Sequence, residues 1–250
     1  MNPPTTPSAP ASSPAWPAVG NGGPPAPTPP RRAFRPAELA FLVGVPLAWA
    51  VLLWFHPDVP DPDNVYGGLR DEVATYQIVH VGTLIFIGLM GVAIYMLVRD
   101  LPGKAATISR LAIAPFVLFY SAWETVIGLA TGALVQHAND APAGGRPAVS
   151  DAIQSLQDNL IVGEMGILSI VGGLAWITAA IAAAVAVRRA GAPVLATVLL
   201  GLSVVVVSHP PPIGPIGLAC FAGAVLVLYR SQQSREAKSA SVDRQKLTVQ

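Results

Sequence analysis

The chain has 250 residues, 52% of them hydrophobic and only 12% charged, with a mean hydropathy of +0.54 and a formal net charge of +1. An average soluble domain carries about 25% charged residues, so an ordinary soluble fold is excluded. The near-zero net charge and sparse basic residues exclude a nucleic-acid binder. The single cysteine, Cys220, excludes a disulfide framework and any C-x-x-C centre.

Residues 1–30 are Pro, Ala, Ser, Thr and Gly around one aromatic, Trp16. Such a segment cannot bury enough surface to fold. It lacks the early basic residues and apolar run of a signal peptide, so it is expected to be a disordered tail. Arg31, Arg32 and Arg35 follow, and Pro36 marks a helix start. From residue 31 to residue 230 the hydropathy predicts an all-α, polytopic bundle of six transmembrane helices.

The first span is expected from Ala37 to Phe55, stopped by His56-Pro57. An acidic loop follows, with Asp58, Asp61, Asp63, Asp71 and Glu72 against Arg70. Its spacing does not fit a calcium loop. The second span, Gln77 to Val98, carries His80 about two turns in. A connection with Arg99, Lys104 and Arg110 leads to the third span, Leu111 to Val135.

That third span holds Glu124 near its middle. A carboxylate there is costly, so it must face protein or water. Helical spacing puts Tyr120, Glu124, Gly128 and Thr131 on one stripe. Gly128 and Gly132 form a G-x-x-x-G pair beside it, which admits a close helix neighbour or a second chain. His137 ends the segment.

The loop from Ala138 to Asn159 contains an amphipathic stretch, Val149, Ala152, Ile153 and Leu156, expected on the membrane surface. The fourth span is expected from Leu160 to Val187, with Glu164 near its start. The fifth (Pro193 to Ser208) and sixth (Ile213 to Tyr229) are short and joined by His209-Pro210-Pro211-Pro212. A re-entrant hairpin is the alternative for this pair. Residues 231–250 form a polar, basic tail, expected to be disordered.

All but two of the fifteen Lys and Arg fall on the N-terminal flank, the second-to-third and fourth-to-fifth connections and the C-terminal tail. Arg70 and Arg146 are the exceptions, in loops otherwise acidic. The positive-inside rule then places both termini in the cytoplasm of a plasma membrane. The bias toward Arg, Ala, Pro and Gly suggests a high-GC bacterial genome.

This topology puts all four histidines near the outer face. His56, His137 and His209 end outward-running helices, and His80 lies about 6–9 Å below the surface at 1.5 Å per residue. Glu164 sits at similar depth. An imidazole also suits a helix end as a mere interface residue. Together, however, the four histidines and the acids could ligate a metal ion, or two histidines a haem. No H-E-x-x-H, Walker or G-x-S-x-G signature is present, so any site is assembled between helices. Glu124 is expected two to three turns deeper than His80, joined to it by a water-filled path.

Three functions follow in order. The first is a binding or transport protein whose outward-opening site uses Glu124, His80, Tyr120 and Glu164 for a proton, ion or metal. The second is a non-catalytic assembly subunit. The third is a membrane enzyme with a His-ligated metal or haem, for which no nucleophile stands out.

Overall fold

The computed structural model describes residues 34–248, with side chains through 241. The expected disordered tail at 1–30 lies outside the described residues. The elements are α1 (Pro36–Leu53), α2 (Val65–Leu69), α3 (Val73–Val98) and α4 (Lys104–Glu124). A π-helical turn, Thr125–Ala130, carries α4 straight into α5 (Thr131–Asp140). Then come α6 (Arg146–Gln157), α7 (Ile167–Arg189), α8 (Val194–Leu202) with a 3-10 turn at Ser203–Val207, and α9 (Ile213–Thr248). No strand occurs among the described residues.

The fold is a polytopic membrane helical bundle. Five helical stretches are long and apolar enough to cross a bilayer: Pro36–Leu53, Val73–Val98, Lys104–Asp140, Ile167–Arg189 and Ile213–Ser241. The sixth apolar segment, Val194–Val207, is shorter. Large apolar side chains cover the outside as well as the inside, among them Ile78 and Ile85 on α3, Leu111 and Leu118 on α4, and Leu174 on α7. Lipid is the solvent that such a surface fits.

The core explains the helix order. Trp49, Ile87, Met90, Phe116, Trp176, Leu200 and Phe221 fill the centre. Its buried Ser and Thr hydroxyls are each paired. Trp49 Nε1 donates to Thr83 Oγ1 at 3.2 Å, and Ser109 Oγ donates to the Ala179 carbonyl at 2.9 Å. α7 lies against α4, where a Cβ on Gly172 would come within 2.8 Å of the Tyr120 backbone nitrogen. Only a glycine lets two helix backbones approach so closely. At one end Arg99 pairs with Glu38 at 2.7 Å, and Arg110 Nη1 donates to the carbonyl of Arg99 at 3.0 Å, tying α1, α3 and α4 together.

Three expectations change. Leu160 to Gly166 is a turn rather than the top of the fourth span, because the Asn159 side chain caps the backbone N–H groups of Ile161 and Val162 at 2.9 and 3.2 Å. The amphipathic stretch does form a helix, α6, but Ile153 is fully buried with Val65, Leu69, Tyr76 and Val135. α6 therefore turns its apolar face onto α2 and α5. Finally, α9 does not stop near Tyr229. Nothing from Arg230 to Thr248 is Gly or Pro, so a helix already nucleated in the bundle propagates through good helix formers.

Candidate metal centre

Four separate elements deliver the polar residues of the bundle to one place. His56 follows the last turn of α1, where its backbone N–H still bonds to the Leu53 carbonyl at 3.0 Å before Pro57 stops the helix. His80 projects from the second turn of α3. Glu124 is the last residue of α4. His209 follows the 3-10 turn and precedes three prolines. His80, Glu124 and His209 are buried, and His56 is half-buried.

The three imidazoles converge. Ring centroids lie 5.1 Å apart for His56 and His80, 5.1 Å for His56 and His209, and 6.0 Å for His80 and His209. One ring nitrogen from each lies within 4.8 Å of the other two. Some point is then within about 2.8 Å of all three, against metal–nitrogen bonds of about 2.0–2.1 Å. Closing that difference takes side-chain adjustments of well under an ångström or so.

Hydrogen bonds engage one nitrogen of the His80 ring and one of the His56 ring. His80 Nδ1 bonds to Glu124 Oε1, while His80 Nε2 is buried with no hydrogen-bond partner. His56 Nδ1 lies 2.8 Å from the Pro57 carbonyl oxygen, which can only accept, so Nδ1 carries the proton and Nε2 carries the lone pair. A carboxylate or carbonyl behind the distal nitrogen is the usual support of a metal-binding histidine. Burial also holds His56 down to about 4, with neighbouring His80 adding to the effect and Pro57 and Glu124 opposing it. Burial holds His209 down to about 3, with Glu124 opposing. Both rings are neutral at pH 7, the form that ligates.

That depression has a measurable consequence. An unfolded histidine titrates near 6.5, so between about 4 and 6.5 the unfolded chain binds more protons than the folded one. Metal-free protein in detergent is expected to hold its thermal midpoint above about pH 6.5 and lose it progressively as pH falls toward 4. A flat midpoint over that interval would contradict neutral burial of these rings.

The π-helical turn shapes the floor. Tyr76 Oη donates to the Ile127 carbonyl at 2.7 Å, taking up an acceptor within the widened turn. A Cβ on Gly128 would run into the His80 ring, coming within 2.8 Å of His80 Cβ. Aromatic rings complete the wall: Tyr76 stands 4.0 Å from the His80 ring and Trp123 5.5 Å from His209. Trp123 Nε1 donates to the Gly163 carbonyl at 3.0 Å, anchoring the turn before α7.

The expected site residues sort differently against this geometry. Glu124 and His80 are in direct contact, so the expected separation and water-filled path are overturned. The reason is register. The helix containing Glu124 runs on to Asp140, past the start of α3, so Gln77 meets Gln136 and His80 meets Glu124 and Gly128. The far end of the α4–α5 helix therefore does not mark the common surface. Tyr120 is buried and donates to the Val207 carbonyl at 3.2 Å. Glu164 is exposed in the turn before α7, not within a span. His137 is exposed and stands outside the three-histidine group. Tyr76 and Trp123 were not among the expected site residues. Their signals were present: Tyr76 precedes His80 by one helical repeat, and Trp123 precedes Glu124.

The cluster opens into a pocket of about 810 Å³, lined by the three histidines, Asp58, Asp158 and Glu164 and by apolar side chains of α7. A haem fits this arrangement poorly. A flat macrocycle placed between any two of the imidazoles would meet the third, only 5.1 to 6.0 Å away. Compared with known protein families, curated proteins and solved structures, the chain matches none.

Proposed function

We propose that the protein binds a divalent first-row transition-metal ion through His56, His80 and His209 at the outer end of the bundle, with Glu124 orienting His80. The observation that carries this reading is the convergence of three imidazoles, each offering a ring nitrogen within 4.8 Å of the other two, beside a buried His80 Nε2 with no hydrogen-bond partner. Three neutral nitrogen donors without a thiolate suit zinc, copper(II), nickel or iron(II). The site belongs to a plasma-membrane protein of six crossings with both termini cytoplasmic, the arrangement favoured by the basic residues. The centre then faces the outside.

Holding the ion fits better than passing it across. Beyond Glu124 the centre of the bundle is apolar, and the buried hydroxyls of Thr83, Ser109 and Ser203 are each engaged with a neighbour. A second reading, a metal-dependent hydrolase, has its own support. Three protein ligands would leave a coordination position for water on an ion held by residues that also line the pocket.

The test is metal content. Protein purified without affinity-tag histidines and loaded with Zn²⁺ or Co²⁺ is expected to retain one equivalent per chain after desalting. His137→Ala, outside the cluster, is expected to retain the same. A parent protein that keeps no metal would leave the assembly-subunit reading in its place. Orientation is tested separately, with single cysteines at Asn64 and Gly144 in a Cys220→Ser background. Both are expected to react with an impermeant reagent in intact cells, whereas one at Lys104 is not.

A further inference from the structure

The pocket does not end at the histidines. It continues along α7, where Ile170, Gly173, Leu174 and Ile177 line one wall and Val207 the other. These four α7 positions stand at i, i+3, i+4 and i+7, one face of a helix. Ile170 and Leu174 are 46% and 58% exposed, so the groove is open along its side rather than roofed by protein. Ile177 lies about 15 Å along the axis from the start of α7, at 1.5 Å per residue. That is half of the roughly 30 Å hydrocarbon thickness, the depth of one leaflet. The polar end is different. Asp58, Asp63, Asp158 and Glu164 line it, and no Lys or Arg is among the described residues lining the pocket.

We infer that the groove takes a single-chain membrane amphiphile, entering sideways from the outer leaflet. Its tail lies along α7 and its head reaches the three-histidine centre. The head carries an oxygen able to ligate the metal and has no net negative charge, since the four acids would repel an anionic one. The inference rests on the metal reading for the position of the head, and on the groove alone for the tail. A water-soluble substrate needs no open apolar wall, and a lipid merely coating the bundle needs no connection to a polar pocket.

The experiment separates the two halves. Protein in nanodiscs is exposed to lysophosphatidylcholine bearing a diazirine at mid-chain, irradiated and mapped by peptide mass spectrometry. Labelling is expected to concentrate within Ile170–Ile177 and to be competed by unlabelled lysophosphatidylcholine. Lysophosphatidylglycerol, which carries a net negative charge, should compete at least about tenfold less well. A Cβ on Gly173 would make only ordinary contacts, at 3.7 Å from Val207 Cγ1, so a side chain can start there, and Gly173→Leu is chosen to fill the groove. It is expected to cut groove labelling roughly tenfold, the usual scale for overfilling a site, without changing Co²⁺ content. Labelling spread evenly over the lipid-facing helices, or indifferent to Gly173→Leu, overturns the groove whether or not metal binds. In protein that holds Co²⁺, a visible spectrum unmoved by saturating lysophosphatidylcholine overturns the placement of the head. A parent protein that takes up no Co²⁺ also overturns that placement and fails the metal reading, while the labelling pattern still decides the groove.

Discussion

Alanine at His80 is expected to abolish Co²⁺ binding, while Glu124→Gln weakens it by about 10–100-fold, the usual cost of losing an outer-shell partner. The two substitutions act on one bond from opposite ends. His80→Ala removes the buried Nε2 that lacks any other partner, leaving two donors where three are needed. Glu124→Gln keeps the shape and an acceptor oxygen facing His80 Nδ1, but replaces the carboxyl group with a neutral amide that supports the imidazole less well as a donor. Folded yield is expected to separate as well. The glutamine variant stays near the parent, whereas the alanine variant leaves a buried carboxyl oxygen without its partner, costing about 1–3 kcal/mol. Optical titration with Co²⁺ gives the affinities, and thermal denaturation in detergent gives the stabilities. If both variants fold and bind as the parent does, the centre is only a structural knot of side chains.

Gly128→Ala is expected to destabilise the protein by about 1–3 kcal/mol and to displace His80. The sign is informative, because alanine within a helix normally gains about 1 kcal/mol over glycine. Here the new methyl meets the His80 ring, which cannot retreat. Glu124 holds it on one side and the Tyr76 ring stands 4.0 Å away on another. Gly88→Ala is the matched control, since nothing lies within 4 Å of a Cβ there. It is expected to be neutral or slightly stabilising. Equal thermal midpoints for the two variants would mean that the π-helical turn yields and that His80 is not tightly seated.

The helices themselves were legible, because a bilayer-length apolar run is a strong signal. The runs ending at His56-Pro57 and after Val98 appear close to where hydropathy puts them. Boundaries set by turn chemistry were not. Hydropathy reads Leu160 to Met165 as membrane, whereas Asn159 caps a turn there. Glu124 and His80 were each singled out by burial cost, yet their contact was invisible. It depends on how far α5 projects beyond α3, and on a π-helical turn that no periodicity reports. His56 and His209 belong with them for the same kind of reason. They come from opposite ends of the chain, and only the packing of α1 against α9 brings them level. His137 has the same sequence credentials but lies outside the group.

The chain separation between His56 and His209 has a mechanical meaning. These residues bound everything between the first and last crossings, and a bond from each to one ion would close a loop of roughly 150 residues, the kind of long closure whose entropy cost falls mainly on the unfolded state. The ion would then act as a clasp, joining the end of the first crossing to the start of the last. At a free concentration one hundred times its dissociation constant it would add about 2.7 kcal/mol of stability. The clasp residues also line the pocket, so the shape of that end of the pocket would follow metal supply.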